Sequence, residues 1–578
     1  MTDDTGEVTE LAKRRGFFLP SNEIYGGTAG FYTYGPRGAP MKSNIEDEWR
    51  ERFTYREGHR EIDAPTVMPE AVFEASGHLE TFDDMIIECP GCGKSHRADH
   101  LVEDNTEVEE AEAFSTERIM EIISDEDIQC PDCGEALAGE EVDDFNLMFS
   151  TNIGPGDSSP GYLRPETAQG IFVEFPQLKE YARNQLPFGI TQVGKAYRNE
   201  ISPRKSLVRV REFTQAELEH FIDPERDEPG LEKVEDVKVT LYPRSEQDRG
   251  GGEEIVTTVG EAVEKDIIAS DWVAYYVGIS KRWYEKVGVN MDKFRFRQHQ
   301  EDELSHYASD CWDAEAYTAG TWVELAGFAY RGCYDLKNHQ EHSGEDFTVF
   351  REYDEPREEE VVDVSVDMGE LGPEFGSDAG DVAEAVEESV KDHPSLLDQD
   401  TLEVDLNGEV FDVDTDWIER EEVEKTINGE NIMAAVVEPS FGIGRLFYTV
   451  LDHSLEEDEV DGEQRTVLRL EPDVAPVEVA VFPLMDKDGM GEKAEEVAES
   501  LRAAGFSVDY DDSGAIGRRY RRQDEIGTPL CVTVDHETLE DGTVTLRDRD
   551  STEQVRVPVE ELEQKIQGFM QGAGLGEL

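Results

Sequence analysis

Between Lys195 and Phe221 the chain reads KAYRNEISPRKSLVRVREFTQAELEHF, where arginines, carboxylates and aromatic rings recur at alternate positions. Alternate side chains of a strand share a face, so the spacing predicts two strands joined by a loop. The first strand ends in Tyr197-Arg198-Asn199-Glu200, the loop holds Ser202, Pro203, Arg204 and Lys205, and the second starts near Val208. On the second, Arg209, Arg211, Phe213, Gln215 and Glu217 share one face. Val208, Val210, Thr214, Ala216 and Leu218 take the other, with Glu212 as the misfit. The apolar face packs on a core. The polar face suits a nucleotide, with guanidinium on phosphate, ring on base and carboxylate on an exocyclic amine. The same pattern also fits a solvated face of mutual ion pairs, which are common and worth little.

Two further groups have chemical character. Cys89/Cys92 and Cys130/Cys133 each sit in Cys-Pro-x-Cys-Gly. The Gly after the second Cys closes a tight turn that aims backbone N–H groups at sulfur, and two such knuckles place four thiolates around zinc. Redox pairs and unpaired thiols are the alternatives; the knuckle form favours structural zinc. With no His or water-activating Glu inside the knuckles, a catalytic zinc is not expected. Cys311, Cys333 and Cys531 read as buried small residues. Near the C-terminus, Arg518, Arg519, Arg521 and Arg522 flank Tyr520. Cations beside an aromatic suit phosphates and unstacked bases, although a charged helix face is the plain alternative.

These groups need positioning elements. A helix over Met41–Arg56 has Ile45, Trp49 and Phe53 on one side and leads to a short strand ending at Pro65. Residues 223–262 read as a charged surface insertion and 264–290 as helix. Residues 322–335 alternate as a strand. A strand over Ile432–Val437 runs into a Gly-rich turn, Glu438-Pro439-Ser440-Phe441-Gly442-Ile443-Gly444-Arg445, and then a helix over Leu446–Leu451. Residues 352–430 are dense in Asp and Glu, with little periodicity at first, and read as a second insertion. After Leu470 strands and helices alternate, which predicts a small α/β domain.

The 578 residues carry 134 Asp and Glu against 54 Lys and Arg, a formal charge of −80 spread over the whole length. Such self-repulsion weakens a compact state at low salt. Molar salt cuts the Debye length to about 3 Å and screens it, so we read a halophilic protein of a high-salt cytoplasm. No apolar run approaches the ~18 residues of a membrane span. The acidic start, MTDDTGEVTE, is unlike a secretory or transit segment. Nucleic-acid binders are normally basic, so only local basic clusters argue for RNA.

Three scattered signals coincide: Pro65 after a helix–strand unit, Arg198 and Glu200 followed by Arg211-Glu-Phe213, and Gly442-Ile-Gly444-Arg445 opening a helix. Together they resemble the three signature motifs of class II aminoacyl-tRNA synthetases. Arg164-Pro-Glu166-Thr-Ala-Gln, Arg211-Glu-Phe-Thr-Gln-Ala-Glu217 and Glu438-Pro-Ser440-Phe-Gly-Ile-Gly-Arg are similar to the dimeric glycyl-tRNA synthetases of archaeal and eukaryotic type. Residues 514–529 resemble the anticodon-binding domain of that group. Gly444 stands where the wider class often has Glu, a departure the glycyl group shares.

The resemblance implies an α+β fold: a class II antiparallel-sheet catalytic domain with insertions, plus a C-terminal α/β anticodon-binding domain. The implied division is 1–85, the N-terminal part of the catalytic domain with motif 1; 86–145, the zinc-knuckle insertion; 146–222, catalytic core with motif 2; and 223–262, an insertion. Then follow 263–345, catalytic core; 346–430, an acidic insertion; 431–470, catalytic core with motif 3; and 471–578, the anticodon-binding domain. The implied activity is ATP-dependent activation of glycine to glycyl-adenylate and its transfer to tRNA(Gly). ATP, Mg²⁺, glycine and tRNA(Gly) are the implied partners, in a cytoplasmic homodimer. A class II synthetase for another amino acid and a non-catalytic nucleic-acid-binding relative are the competing readings.

Catalytic roles fall by resemblance to Arg198, on the α-phosphate, and Arg445, at the far end of the triphosphate. ATP contacts are carried to Arg198, Asn199, Glu200, Val208, Arg209, Val210, Arg211, Glu212, Phe213, Glu324, Leu325, Gly442, Ile443, Gly444 and Arg445. Glu324 doubles as a magnesium ligand, since hard cations want oxygen. Glycine contacts are carried to Arg97, Glu166, Phe213, Thr214, Gln215, Ala216, Glu217, Glu438, Pro439 and Ser440. Glu166, Glu217 and Glu438 take the ammonium and Ser440 lies near Cα. Arg204, Lys205, Arg518, Arg519, Arg521 and Arg522 are the expected tRNA contacts.

Overall fold

Strands whose side chains alternate between an aliphatic and a polar face build the central sheet of this computed structural model. The structure describes the chain except residues 1–5, 107, 109–110, 112–113, 156–158, 204–205, 248–251, 301–309, 407–408, 461 and 578. Arg204 and Lys205 therefore lie outside the described residues. The strands are β1 (Arg60–Glu61), β2 (Phe188–Tyr197), β3 (Glu212–Ile222), β4 (Lys238–Tyr242), β5 (Ile255–Thr258), β6 (Phe294–Gln298), β7 (Cys311–Thr318), β8 (Thr321–Gly332) and β9 (Ala435–Gly442). Their spatial order is β5-β4-β6-β7-β8-β9-β3-β2-β1. Pairing is antiparallel except between β2 and β1 and between β4 and β6.

Phe441 shows why one face is core. Its ring packs 4.7 Å from Phe53, 5.5 Å from Trp283 and 5.7 Å from Phe328. Phe53 lies just beyond helix α1 (Gly38–Trp49), and Trp283 on α2 (Asp271–Lys286). Ile45, Trp49 and Phe53 are fully buried, as their spacing demands. The neighbours of Phe441 on β9, Ser440 and Gly442, face the other way into the candidate site. Helix α3 (Tyr334–Ser343) follows β8 and α4 (Ile443–Ser454) follows β9.

Four elements differ from the sequence reading. β3 begins at Glu212 rather than Val208: Ser206–Val208 is a 3-10 turn, and the Arg211 N–H donates to Gly30 O at 2.8 Å instead of joining the ladder. β1 ends at Glu61, four residues before Pro65, where the Arg164 guanidinium takes the Ala64 carbonyl at 2.9 Å. β9 continues through Glu438-Pro439-Ser440, which read as a turn; Ser440 pairs with Glu217 on one side and Gly327 on the other. Residues 223–262 are not merely superficial, since β4 and β5 extend the sheet and Val234, Val237, Val239 and Leu241 join its core.

Residues Thr348–Ile432 form a separate compact unit. It holds two helices, Met368–Phe375 and Ala379–Asp392, and a hairpin of Thr401–Leu406 with Glu409–Asp414. Its core includes Val382, Val386, Val390, Val404 and Val413.

The C-terminal part has strands β10 (Val479–Pro483), β11 (Val508–Tyr510), β12 (Leu530–Val534), β13 (Thr543–Asp548) and β14 (Gln554–Pro558), in the order β11-β10-β12-β13-β14. Helix α5 (Met490–Ala503) buries Ala494, Val497 and Leu501 against it, and α6 (Ile516–Asp524) precedes β12. Among the described residues no helix is long and apolar enough to cross a membrane.

Candidate active site

One cleft gathers the polar face of β3, the turn after β9 and the middle of β8. Arg198, Glu200, Val208, Arg209, Val210, Phe213, Thr214, Gln215, Glu324, Leu325, Ser440, Gly442, Gly444 and Arg445 line it. It opens into an outer cavity of about 850 Å³, the size of a nucleotide site, whose walls include Arg198, Glu200, Arg209, Glu324 and Arg445. The Arg198 guanidinium stands 5.5 Å from the Phe213 ring and 5.3 Å from the Phe82 ring. Arg445 donates to the Glu324 carboxylate at 3.0 Å and to Val208 O at 3.2 Å. Glu324 is half exposed on the cleft wall; partial desolvation would raise its carboxyl, but Arg445 more than offsets it and leaves its pKa lowered. Arg209 donates to Glu200 at 2.5 Å. Cations and a ring thus converge on one space from the β2–β3 side and the β9 side of the cleft.

Behind this cleft lies an acidic pocket. Glu217 is 1% exposed. Its Oε2 accepts from the Thr167 and Ala168 N–H groups at 2.7 Å each and from the Thr167 hydroxyl, and its Oε1 accepts from Ser440 at 2.6 Å. One acceptor direction on Oε1 stays open. Burial and Glu166 push the Glu217 carboxyl up, and its donors oppose this. Glu438 accepts from Arg331 at 2.6 Å, yet burial and the charges of Glu217 and Glu166 outweigh the guanidinium and push its carboxyl to about 7. Burial would also raise Glu166, but His78, Arg331 and Gln169 together hold it below the usual carboxylate range. Such a pocket accepts a small cation that donates several hydrogen bonds, as an ammonium does.

The cysteine pairs form a second centre. The sulfurs of Cys89 and Cys133 are 3.5 Å apart and those of Cys92 and Cys130 3.8 Å. All four lie within 4.8 Å of one another. Zn–S bonds of about 2.3 Å in a tetrahedron give S···S edges of roughly 3.8 Å, so the set fits that ion. The Cys89 N–H donates to Lys94 O at 2.9 Å and the Cys130 N–H to Glu135 O at 2.8 Å, matching turns in the two knuckles. Asp84, Arg97 and His100 of the surrounding segment form a wall of the outer cavity.

Several expected residues are not brought to the cleft. Ala216 is in the core, Ile443 is fully buried and Pro439 points with Phe441 to the core face. Arg211 donates to Glu200 O and Ala29 O, and Glu212 pairs with Lys195 at 3.1 Å. The Asn199 N–H donates to Leu147 O at 2.7 Å and its side chain is not part of the lining. Arg97 pairs with Asp84 at 2.9 Å and with Asp99, on the outer wall and apart from the acidic pocket. Cys531 is buried as expected, whereas Cys311 and Cys333 are half-buried.

The arginines around Tyr520 also divide. Arg519 is 2% exposed and donates to Asp512 O and Gly514 O. Arg522 is tied to Asp511 and Ser513, and the Tyr520 hydroxyl bonds Thr533 at 2.6 Å. Of the four, only Arg518 is exposed with no carboxylate partner among the described residues; Arg521 is half-buried and has Glu463 at 3.8 Å. A helical wheel over Ile516–Asp524 carries this signal, since position 519 falls on the inner side. Phe82, Asp84, His100 and Arg331 were not foreseen. Arg331 ends an alternating strand and α3 follows within a turn, so its role depends on tertiary contact.

Comparison with known proteins places this geometry. Residues 157–257 match the family model described as tRNA synthetase class II core domain (G, H, P, S and T), and residues 478–568 match that of the anticodon binding domain. A glycine–tRNA ligase of Methanothrix thermoacetophila is 49% identical over 98% of this chain and 97% of its own length. The glycine–tRNA ligase of Methanothermobacter thermautotrophicus is 49% identical over 96% of each chain. That of Methanocaldococcus jannaschii is 45% identical, covering 96% of this chain and 97% of its own. With this identity along nearly its whole length, the chain belongs to the glycine–tRNA ligase family of class II aminoacyl-tRNA synthetases.

Proposed function

We propose that this chain joins glycine to tRNA(Gly) through glycyl-adenylate. The observation that carries the reading is the meeting of Arg198, Glu200, Phe213 and Arg445 in one cleft whose floor is the Ser440–Glu217 contact. A glycine carboxylate is already a nucleophile, so its attack on the α-phosphorus of ATP needs no general base. Catalysis is then positioning and neutralisation of phosphate charge. Arg198 takes the α-phosphate, Arg445 the far end of the triphosphate, Phe213 the base and Glu200 its amine. When bound, Mg²⁺ supplies further phosphate neutralisation, and Glu324 offers it a carboxylate oxygen. Glu166, Glu217 and Glu438 receive the ammonium. Ser440, drawn to Glu217, stands where a larger side chain would need room, and exclusion of this kind discriminates more sharply than the ~1–3 kcal/mol of one methyl.

The anticodon-binding region offers the exposed Arg518 to RNA, with Arg521 beside it once its long pairing with Glu463 gives way. The expected result is glycine-dependent ATP–pyrophosphate exchange at molar KCl, absent with alanine, serine or proline, and charging of a tRNA(Gly) transcript. Exchange driven by another amino acid, or none at all, removes the assignment.

We also propose that Cys89, Cys92, Cys130 and Cys133 hold one structural zinc. Metal analysis of purified protein is expected to give one zinc per chain, lost in Cys92→Ser. Because Asp84, Arg97 and His100 belong to the same segment, the variant is expected to bind ATP more weakly. A zinc content unchanged by the substitution refutes the site.

A further inference from the structure

Glu219 lies two residues beyond Glu217 on β3 and so shares its face. The pairings Glu217↔Ser440 and His220↔Val437 set Glu219 directly opposite Glu438 on β9. Its side chain is 0% exposed, and neither carboxyl oxygen has a hydrogen-bond partner among the described residues. The contrast with Glu217, which accepts from four donors, is sharp.

Charge around Glu219 is out of balance. Glu438 faces it from β9, Arg331 from β8, Asp335 from α3 and Glu217 from its own strand. Glu438 in turn meets Glu166 and the Cys311 thiol. The Arg331 guanidinium gives two hydrogen bonds of 2.8 Å to Asp335 and one of 2.6 Å to Glu438. Its charge opposes the ionisation penalty at Glu219 only from a distance, because neither Glu219 oxygen accepts a hydrogen bond among the described residues. A buried carboxylate without a donor is far costlier than the neutral acid. Burial, then the negative charge of Glu438, accordingly lift the Glu219 carboxyl well above its ordinary range. Two carboxyl groups facing each other in a dry site cannot both ionise cheaply.

We infer that Glu219 and Glu438 hold one proton between them in the ligand-free pocket and release it to solvent when the glycine ammonium binds. Glu219 is thereby a positioning residue of the amino-acid site, acting through Glu438, and the inference rests on the glycine reading above. The incoming positive charge takes over the neutralising role of the proton, so both carboxylates ionise and Glu438 becomes a full acceptor. Glycine binding then strengthens as pH rises. Below neutrality its KM falls about tenfold per pH unit for one released proton, and it levels off once the pair is ionised.

The test combines calorimetry and infrared spectroscopy on the full-length protein. Glycine titrations in buffers of different ionisation enthalpy, at slightly acid pH, should show close to one proton released by the parent and nearly none by Glu219→Gln. The Gln variant should also lose most of the pH dependence of glycine KM, a change that a merely structural defect does not produce. The ligand-free parent should show the carbonyl stretch of a protonated carboxylic acid, and Glu219→Gln should weaken it. If the parent activates glycine without releasing a proton, the inference alone falls. If Glu219→Gln releases as many protons as the parent, the proton belongs elsewhere and the inference falls. If the carbonyl band is present but glycine is neither bound nor activated, the functional reading falls with the coupling, and the shared proton stands.

Discussion

Replacing Arg198 by alanine should lower the rate of glycine-dependent pyrophosphate exchange by about 10²–10³-fold with a much smaller change in ATP KM. The reason lies in what the neighbouring cations already hold. Arg209 is engaged with Glu200, Arg445 with Glu324, and Arg97 with Asp84 and Asp99. Arg198 makes one long hydrogen bond, from Nε to Pro165 O at 3.4 Å, and is otherwise steadied by the rings of Phe82 and Phe213. Among the described residues of the cleft it is the arginine with no direct carboxylate partner, so its fork is available to an oxyanion. Charge on the α-phosphate rises toward the transition state, so a contact there acts on kcat more than on ground-state binding. Arg198→Lys should recover only part of the loss, since a point charge cannot reproduce the bidentate fork. An exchange rate for Arg198→Ala within a few-fold of the parent removes Arg198 from the catalytic role.

Period-two alternation was the most readable part of the sequence because a sheet with one dry face leaves little freedom. Gln215 and Glu217 could be separated from Ala216 and Leu218 by counting, and the structure separates them in the same way. Counting failed where the alternation continued past the ladder. Val208-Arg209-Val210-Arg211 has the pattern of a strand, but Arg211 gives its N–H to Gly30, far away in the chain. At Glu438-Pro439-Ser440, proline and glycine content suggested a turn, while pairing with both β3 and β8 keeps the segment extended. Local propensity yields to tertiary pairing in each case.

The separate unit at Thr348–Ile432 matches the acidic insertion, but its helical period was hidden for a related reason. Its density of carboxylates masks the four-residue spacing of Val382, Val386 and Val390, which are fully buried on one helix. The site was legible wherever residues contact ligand through a local motif. It was illegible where a residue works on another residue from a distant strand. Glu438 was foreseen, but not Arg331, which holds it, nor Glu219, which opposes it. Sequence distance hides such partners, and in an acid-rich chain one more Glu attracts no notice.

Arg331→Met should be the most destabilising single change near the site. The Arg331 side chain is 4% exposed; it donates twice to Asp335 and once to Glu438 and lies 5.4 Å from the Phe172 ring. Methionine would keep much of the packing and remove the charge. Asp335, 1% exposed, and Glu438 would then be buried without a counter-ion. Breaking a buried pair in this way costs about 3–5 kcal/mol, chiefly from the charge left behind. The pH dependence has a definite sign. Glu438 is already raised in the folded state, to about 7, above its unfolded value, so its contribution is fully present below the unfolded pKa and is lost as pH rises through the folded one. Removing Arg331 takes away the charge that lowers the Glu438 carboxyl and so raises that acid further. The stability gap between variant and parent should therefore widen as pH increases from about 5 to about 8. Denaturant midpoints at fixed high salt, compared across that range, test this directly. A gap that stays constant or narrows toward alkaline pH would show that Arg331 holds the fold by packing rather than by pairing two buried acids.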